Sequence, residues 1–203
     1  MVLGRAANAA VAHAPWLWPL IKQPMTAYFD GRAHGWDDRV GTNDPAHLAA
    51  LAVAVTKIDR RPERALDLGT GTGEGALFLA REFPNASIRG VDLSPEMIRR
   101  AQAKIGLDPE GRVAFKVADA SDLPYPDGHF DLVSGLNMPP FFAEVSRVLR
   151  HGGHALWAAS SGPATPFFTP QSVLERSFRR QRMVKVASGE IDRGTWFVAR
   201  KGE

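Results

Sequence analysis

From residue 64 onward, short apolar runs rich in β-branched residues alternate with segments of helical period. That alternation is the pattern of β-α units feeding a parallel sheet, because two parallel strands need a crossover long enough to hold a helix. The runs predict strands over 65–68, 87–92, 113–117, 130–134 and 155–159. The helix after the first strand opens near Gly73, buries Ala76, Leu77, Leu79 and Ala80, and stops before Pro84. A second starts at Ser94, a good N-cap, with Pro95 at the first helical position and Glu96 in the first turn. Its apolar face is Met97, Ile98, Ala101 and Ile105, and Gly106 ends it. A third spans 141–149, with Phe142, Val145, Val148 and Leu149 inward, and closes on Gly152 and Gly153, read as a left-handed C-cap. After Ser160 a loop rich in Gly, Pro and Thr runs through Pro163, Pro166 and Pro170 into a helix over 171–178. Two late strands, 182–187 and 195–200, read as a terminal hairpin whose loop contains Gly189 and Gly194. Upstream, residues 25–62 read as helical, with Asn43, Asp44 and Pro45 capping a helix through Leu48, Leu51, Val55 and Ile58.

Length and composition narrow the picture only a little. A chain of 203 residues, 44% hydrophobic and 23% charged, is expected to be one α/β domain, residues 1–203, with a helical preface or lid over 1–62 and a core over 63–203. Cysteine is absent, which excludes disulfides, thiolate metal sites and a cysteine nucleophile. No set of His, Asp and Glu has metal-ligand spacing, and Ser160-Ser161 lacks the turn of a serine nucleophile, so neither a metal nor serine hydrolysis is expected. In residues 1–25 the apolar stretches are interrupted by Arg5, His13, Pro15, Pro19 and Lys22. That is too broken for a membrane span and lacks the charged start of a signal peptide, so the segment is expected to be an arm folded back on a cytoplasmic protein. Net charge is +3, concentrated in Arg60-Arg61-Pro62-Glu63-Arg64 and in Arg176, Arg179, Arg180 and Arg182. Neither cluster is interleaved with aromatic residues, so a small molecule, not nucleic acid, is the expected partner.

The chemistry concentrates at strand tips. Asp67-Leu68-Gly69-Thr70-Gly71-Thr72-Gly73 follows a strand and opens a helix, a place where glycines allow a tight turn and let a ligand lie against backbone. A nucleotide-like cofactor is the expected occupant. The dinucleotide fingerprint wants a small residue where this chain has Glu74, and Glu74 with Asp67 would repel a pyrophosphate. Two carboxylates there suit a ligand bearing an ammonium group. Asp92, at the second tip, can accept both ribose hydroxyl hydrogens, and Asp119, at the third, can accept from an adenine amino group. His34 is a candidate general base and Asn137 a strand-tip polar group near the reacting centre.

In that order the segments 66–73, 90–97, 117–125, 130–133 and 145–153 resemble the successive motifs of class I S-adenosylmethionine-dependent methyltransferases. Tyr28-Phe29-Asp30 and Trp36-Asp37 resemble the segment that precedes the first motif in small ubiquinone-biosynthesis-like members. The resemblance implies a Rossmann-like, doubly wound, mostly parallel seven-stranded sheet with a C-terminal antiparallel hairpin strand and helices on both faces. It implies S-adenosylmethionine as cofactor, with Asp67, Gly69, Thr70, Gly71 and Gly73 at the methionine portion, Asp92 at the ribose, and Asp119 with Ala120 at the adenine. Leu93 and Met97 would flank the adenine ring, while Tyr28 and Trp36 would face the sulfonium. The activity implied is methyl transfer to a small acceptor; the alternatives are a non-catalytic binder of the same cofactor, an RNA methyltransferase and a nicotinamide-dependent oxidoreductase. One departure stands out: Leu136-Asn137-Met138-Pro139-Pro140 leads almost directly into the next helix, where the family carries a longer substrate-facing insertion. The acceptor pocket is therefore expected to be walled by the N-terminal region and the loop from Ser160 to Pro170. Asn137 to Phe141 also resembles the N-P-P-Y/F signature of amino-group methyltransferases, but Met138 breaks its spacing.

Overall fold

The computed structural model describes residues 2–42, 44–106 and 111–202. An N-terminal arm forms α1 (Val2–His13) and α2 (Trp18–Asp30), joined by a short 3-10 turn. After it come α3 (Trp36–Val40) and α4 (Ala46–Val55). The alternating part follows as β1 (Arg64–Leu68), α5 (Glu74–Glu82), β2 (Ser87–Asp92), α6 (Pro95–Lys104), β3 (Val113–Val117), β4 (Phe130–Leu136), α7 (Phe142–Val148) and β5 (Leu149–Ala159). The chain closes with α8 (Gln171–Arg180), β6 (Met183–Ile191) and β7 (Gly194–Lys201).

The seven strands form one sheet in the order β3-β2-β1-β4-β5-β7-β6. The first five run parallel, and β7 lies antiparallel between β5 and β6. This is the expected mostly parallel, doubly wound sheet. Successive side chains of a strand point to opposite faces, and the central strands are apolar on both. Leu66, Val133, Trp157 and Phe197 join one buried cluster with residues of α2, α7 and α8. Ala65, Leu132, Leu156 and Val198 join another with α4, α5 and α6. The arm thus packs on the α7–α8 face.

Three details differ from the sequence reading. The turn between β6 and β7 is Asp192-Arg193, with Asp192 at φ 51°, while Gly189 and Gly194 lie inside the strands. They serve close approach: a Cβ at Gly189 would sit 2.8 Å from the Trp196 ring, and one at Gly194 3.0 Å from Ala50. Gly152 and Gly153 do not cap α7, which passes straight into β5 at Leu149. They belong to an irregularity where β4 pairing steps from Leu149 to His154, and a Cβ at Gly153 would press on two carbonyl oxygens at 3.0 Å. Before α4, the Asp44 carboxylate accepts from the Ala46 amide at 2.9 Å, Ile58 packs beyond the helix end, and Asn43 lies outside the described residues.

Trp157 of β5 lies over Gly135 of β4, so that a Cβ on Gly135 would lie 2.6 Å from the indole. The indole is held there by its N–H, which donates to the Met138 carbonyl at 3.0 Å. Overpacking such a site costs about 1–3 kcal/mol. Gly135→Ala is expected to lower the unfolding free energy by that amount in urea titration, with an unchanged m-value.

Candidate functional site

Helices leave opposite faces of the sheet at β1 and β4, which opens a crevice at the carboxyl ends of the strands. A cavity of about 500 Å³ occupies it. Its floor is the turn after β1, where Gly69 and Gly71 take φ of 60° and 53°, a region that side chains with a Cβ enter only at a cost. Space demands glycine as well: a Cβ on Gly69 would lie 2.9 Å from the Met138 sulfur. Gly73, predicted to line the site, is not on the cavity wall. It caps α5 at φ 93°, and a Cβ there would meet the Phe115 ring at 2.8 Å.

Two carboxylates, Asp67 buried and Asp92 half-buried, hold this turn in shape. Asp67 is 2% exposed and accepts from the Ser134 and Thr70 hydroxyls, each at 2.7 Å. Burial raises its pKa to about 6, against the lowering effect of these hydroxyls and the Ala76 amide. Asp92 accepts from the Gly71 amide on one oxygen and the Ser94 amide on the other, both at 2.9 Å. Burial pushes its pKa up too, opposed by those amides. A carboxylate offers about four acceptor sites, so Asp92 keeps acceptor capacity beyond these amides where it faces the cavity beside Leu93 and Met97. That acceptor fits the hydroxyls of a vicinal diol, and the flanking apolar side chains of Val91, Leu93, Met97, Ala118 and Ala120 fit a flat ring.

The segment before β1 closes one side. Lys104 Nζ lies 2.7 Å from both Asp37 and Glu74, and the Thr72 hydroxyl donates to Asp37, so α3 is pinned to the glycine turn. Burial would raise the pKa of Asp37, but Lys104 and Thr72 hold it below the ordinary carboxylate value. Trp36 is thereby set over Gly71 and lines the cavity, as does Tyr28, whose ring carries the Arg32 guanidinium 3.8 Å from its centroid. Glu74 lines the cavity with its charge already paired.

Three candidate residues sit differently from their expected roles. Asp119 is outside the cavity wall: its oxygens accept from the Trp18 indole N–H at 2.9 Å, from Ser121 and from Lys22, although neighbouring Ala118 and Ala120 do line the hollow. His34 is exposed, off the cavity, and 2.9 Å from an Arg100 nitrogen. Asn137 lines the cavity at φ 55°, but its side chain binds the loop opposite: its amide donates to the Ser160 hydroxyl at 2.9 Å and its carbonyl accepts from the Ser160 amide at 2.9 Å.

The N-terminal region and the loop from Ser160 to Pro170 supply much of the apolar wall, through residues that the sequence did not single out. Trp18, Met25 and Phe29 of α2 face the cavity, with Met138 and Phe141 from the segment after β4 and Thr165, Pro166 and Phe167 from the loop after β5. Trp18, Ile21, Met25 and Phe29 follow one helix stripe, a signal broken up by Pro19 and Pro24. His47, in the first turn of α4, also lines the cavity, its pKa lowered by burial; nothing in its sequence context marks it. The basic clusters lie elsewhere. Arg60 and Arg61 precede β1, and Arg179, Arg180 and Arg182 precede β6, which puts both at the amino edge of the sheet, opposite the cavity. Among the described residues no helix is long and apolar enough to cross a membrane.

Residues 65–153 match the family described as methyltransferase domain. A demethylmenaquinone methyltransferase from Thermus thermophilus is 44% identical over 107 residues, covering 47% of this chain and 46% of the relative. A probable phthiotriol/phenolphthiotriol dimycocerosates methyltransferase 2 from Mycobacterium ulcerans is 31% identical over 161 residues, 74% of this chain and 60% of the relative. Across such matches the chain spans 32% to 60% of the relatives' length. Among solved structures, the putative methyltransferase of Haloferax volcanii, determined with its Trm112 methyltransferase activator, superposes with a TM-score of 0.67 at 20% identity, covering 88% of this chain and 97% of that one. Residues 65–153 thus belong to the methyltransferase domain family, within the class I S-adenosylmethionine-dependent superfamily.

The raised pKa of Asp67 has a thermodynamic sign. The folded state holds its proton up to about pH 6, whereas the unfolded chain releases it near 3.8. The folded state therefore binds more protons between those values, and stability falls as pH rises through them, by roughly 3 kcal/mol in all. Asp67→Asn is expected to lose this slope. Urea titrations at pH 4 and 7 check it: the wild type should lose stability relative to the variant across that interval, and parallel behaviour would refute the assignment.

Proposed function

We propose that this chain binds S-adenosylmethionine with the glycine turn and Asp92 and transfers its methyl group to a small, predominantly apolar acceptor. The observation that carries the reading is Asp92: a half-buried carboxylate, fixed by the Gly71 and Ser94 amides, that keeps acceptor capacity toward a cavity floored by backbone. The sulfonium donor brings an already activated methyl group, so the chain's tasks are to align acceptor and donor, exclude water and, where the acceptor carries a proton, take it up. Gly69 and Gly71 admit the donor against the backbone. Trp36 and Tyr28 line the cavity, and a ring face of either that meets the charged end offers cation–π attraction.

The acceptor end is the region between α2 and the loop after β5. Met25, Phe29, Met138, Phe141 and Phe167 line it without a charged side chain among them, which argues for an uncharged, compact acceptor and for a dry site. The curated relatives named above act, by their names, on small molecules, which agrees with this reading. His47, held largely neutral by burial, is the cavity's candidate proton acceptor and takes the place expected of His34.

Calorimetry with S-adenosylhomocysteine tests the site. Wild type is expected to bind in the micromolar range or tighter, and Asp92→Ala, which loses hydrogen bonds to a charged acceptor, to bind about tenfold or more weakly. No heat with the wild type would overturn the reading. Slow release of S-adenosylhomocysteine from S-adenosylmethionine in the presence of phenolic probes such as catechol separates an enzyme from a protein that only binds.

A further inference from the structure

Asp119 carries a motif position that resembles an adenine contact, yet its oxygens are occupied by the chain itself. Oδ1 accepts from the Trp18 indole N–H at 2.9 Å and from the Ser121 amide and hydroxyl at 2.8 and 2.7 Å. Oδ2 faces the Lys22 ammonium at 3.3 Å. An oxygen with two lone pairs has no place for a fourth donor, so a ligand's amino group reaches Oδ1 only when the indole leaves. Trp18 itself is 5% exposed, meets Phe141 edge-on at 4.9 Å, and forms cavity wall alongside Ala118 and Ala120.

We propose that the arm α1–α2 is a lid over the cavity and that Asp119 is its latch, a positioning residue that acts by holding Trp18 and Lys22. Ligand entry requires the arm to let go of Asp119, and the arm's Met25 and Phe29 line the cavity when it is down. For the identity of the ligand this rests on the methyltransferase reading; the latch itself rests on the contacts. The arm is tied at two further points. At its tip, the Asn8 amide donates to the Phe168 carbonyl at 2.8 Å and the Thr169 hydroxyl donates to Asn8 at 3.1 Å, while the Gly4 backbone lies so close to Pro166 that a Cβ would come within 2.8 Å. At its base, Asp30 accepts from the Ser94 hydroxyl and the Glu96 amide at the start of α6, and Gly31 and Gly35 follow. The base stays anchored on α6, and opening breaks the tip and the latch. Charge favours this pairing: residues 2–29 hold Arg5 and Lys22 but no Asp or Glu, so Asp119 is the acidic counterpart the arm lacks.

Trp18→Phe keeps the ring and removes the N–H. Hydrogen exchange of the full chain without ligand, followed by mass spectrometry, should show amides of residues 2–29 exchanging about tenfold or more faster in the variant, the shift expected for losing a hydrogen bond to a charged group. Stopped-flow association of S-adenosylhomocysteine should accelerate by a similar factor, since uptake passes through the open arm. Lys22→Met, at a half-exposed side chain that leaves the core intact, should move both in the same direction by less. Protection of the β1 and β4 amides at the wild-type level identifies a folded variant, and if Trp18→Phe fails that control Lys22→Met decides. Exchange over 2–29 within twofold of wild type would overturn the latch, and faster exchange with unchanged association would overturn the lid. Failure of S-adenosylhomocysteine to bind any form would overturn the methyltransferase reading instead, with the exchange data still judging the latch.

Discussion

Carboxylates drawn into the carboxyl edge of the sheet are the constraint on which the site depends. A charge taken out of water must be met by donors, and here the donors are the pieces that need to be fixed. Asp67 takes hydroxyls from the glycine turn and from β4, binding the turn to the strand on one side. Asp92 takes amides from the same turn and from the start of α6, binding it to β2 on the other. The turn is thus clamped between two neighbours of β1, and the cavity takes its shape from the clamp. Asp131 repeats the arrangement at the opposite edge, where it accepts from the Glu63 and Arg64 amides at 2.7 Å and fixes the entry into β1.

This division explains what the sequence made legible. Glycine turns, strand-tip acids and two-faced apolar strands leave local patterns, so Asp67, Gly69, Gly71 and Asp92 could be picked out from the sequence, while Leu93 and Met97 came in through the family resemblance. What failed depended on contacts across the chain. Asp119 looks like a ligand acceptor from its strand tip, and only the packing of α2, a hundred residues earlier in the chain, brings Trp18 and Lys22 to its oxygens. His34 and His47 were indistinguishable as isolated histidines; the left-handed turn at Gly41 sends α4 under the cavity and leaves His34 outside on Arg100. Gly189 and Gly194 have the composition of a turn, but the reason for glycine there is the Trp196 ring and α4 pressing on the backbone.

The same division separates binding from selectivity. The floor of the cavity belongs to the β-α core and consists of backbone, small residues and fixed carboxylates, with little freedom to vary without breaking the clamp. The opposing wall is contributed by α2, by the short segment after β4 and by the loop after β5, which touch one another mainly through side chains. Asn137 couples the last two: its left-handed backbone and its hydrogen bonds to Ser160 hold the loop that carries Phe167. A shortened passage from β4 to α7 therefore does not leave the hollow open. It transfers the work of enclosure to segments distant in sequence, and the identity of an acceptor is expected to follow residues of the arm and that loop, while the core motifs stay as they are.

That arrangement also bears on stability. The arm contributes Trp18 and Met25 to the buried cluster on the α7–α8 face, so the face is completed only when the arm is down. Releasing it exposes that apolar surface to water and frees the Asp119 and Asn8 bonds together, which makes the closed state a cooperative unit held by apolar burial and oriented by a few polar ties. A ligand that fills the hollow can replace part of the burial that the arm supplies, by setting its own ring against Val91, Leu93 and Ala120. On the proposed latch, the apolar burial and the polar ties are given up together, so the rate at which the covered hollow fills is set by the opening of the arm.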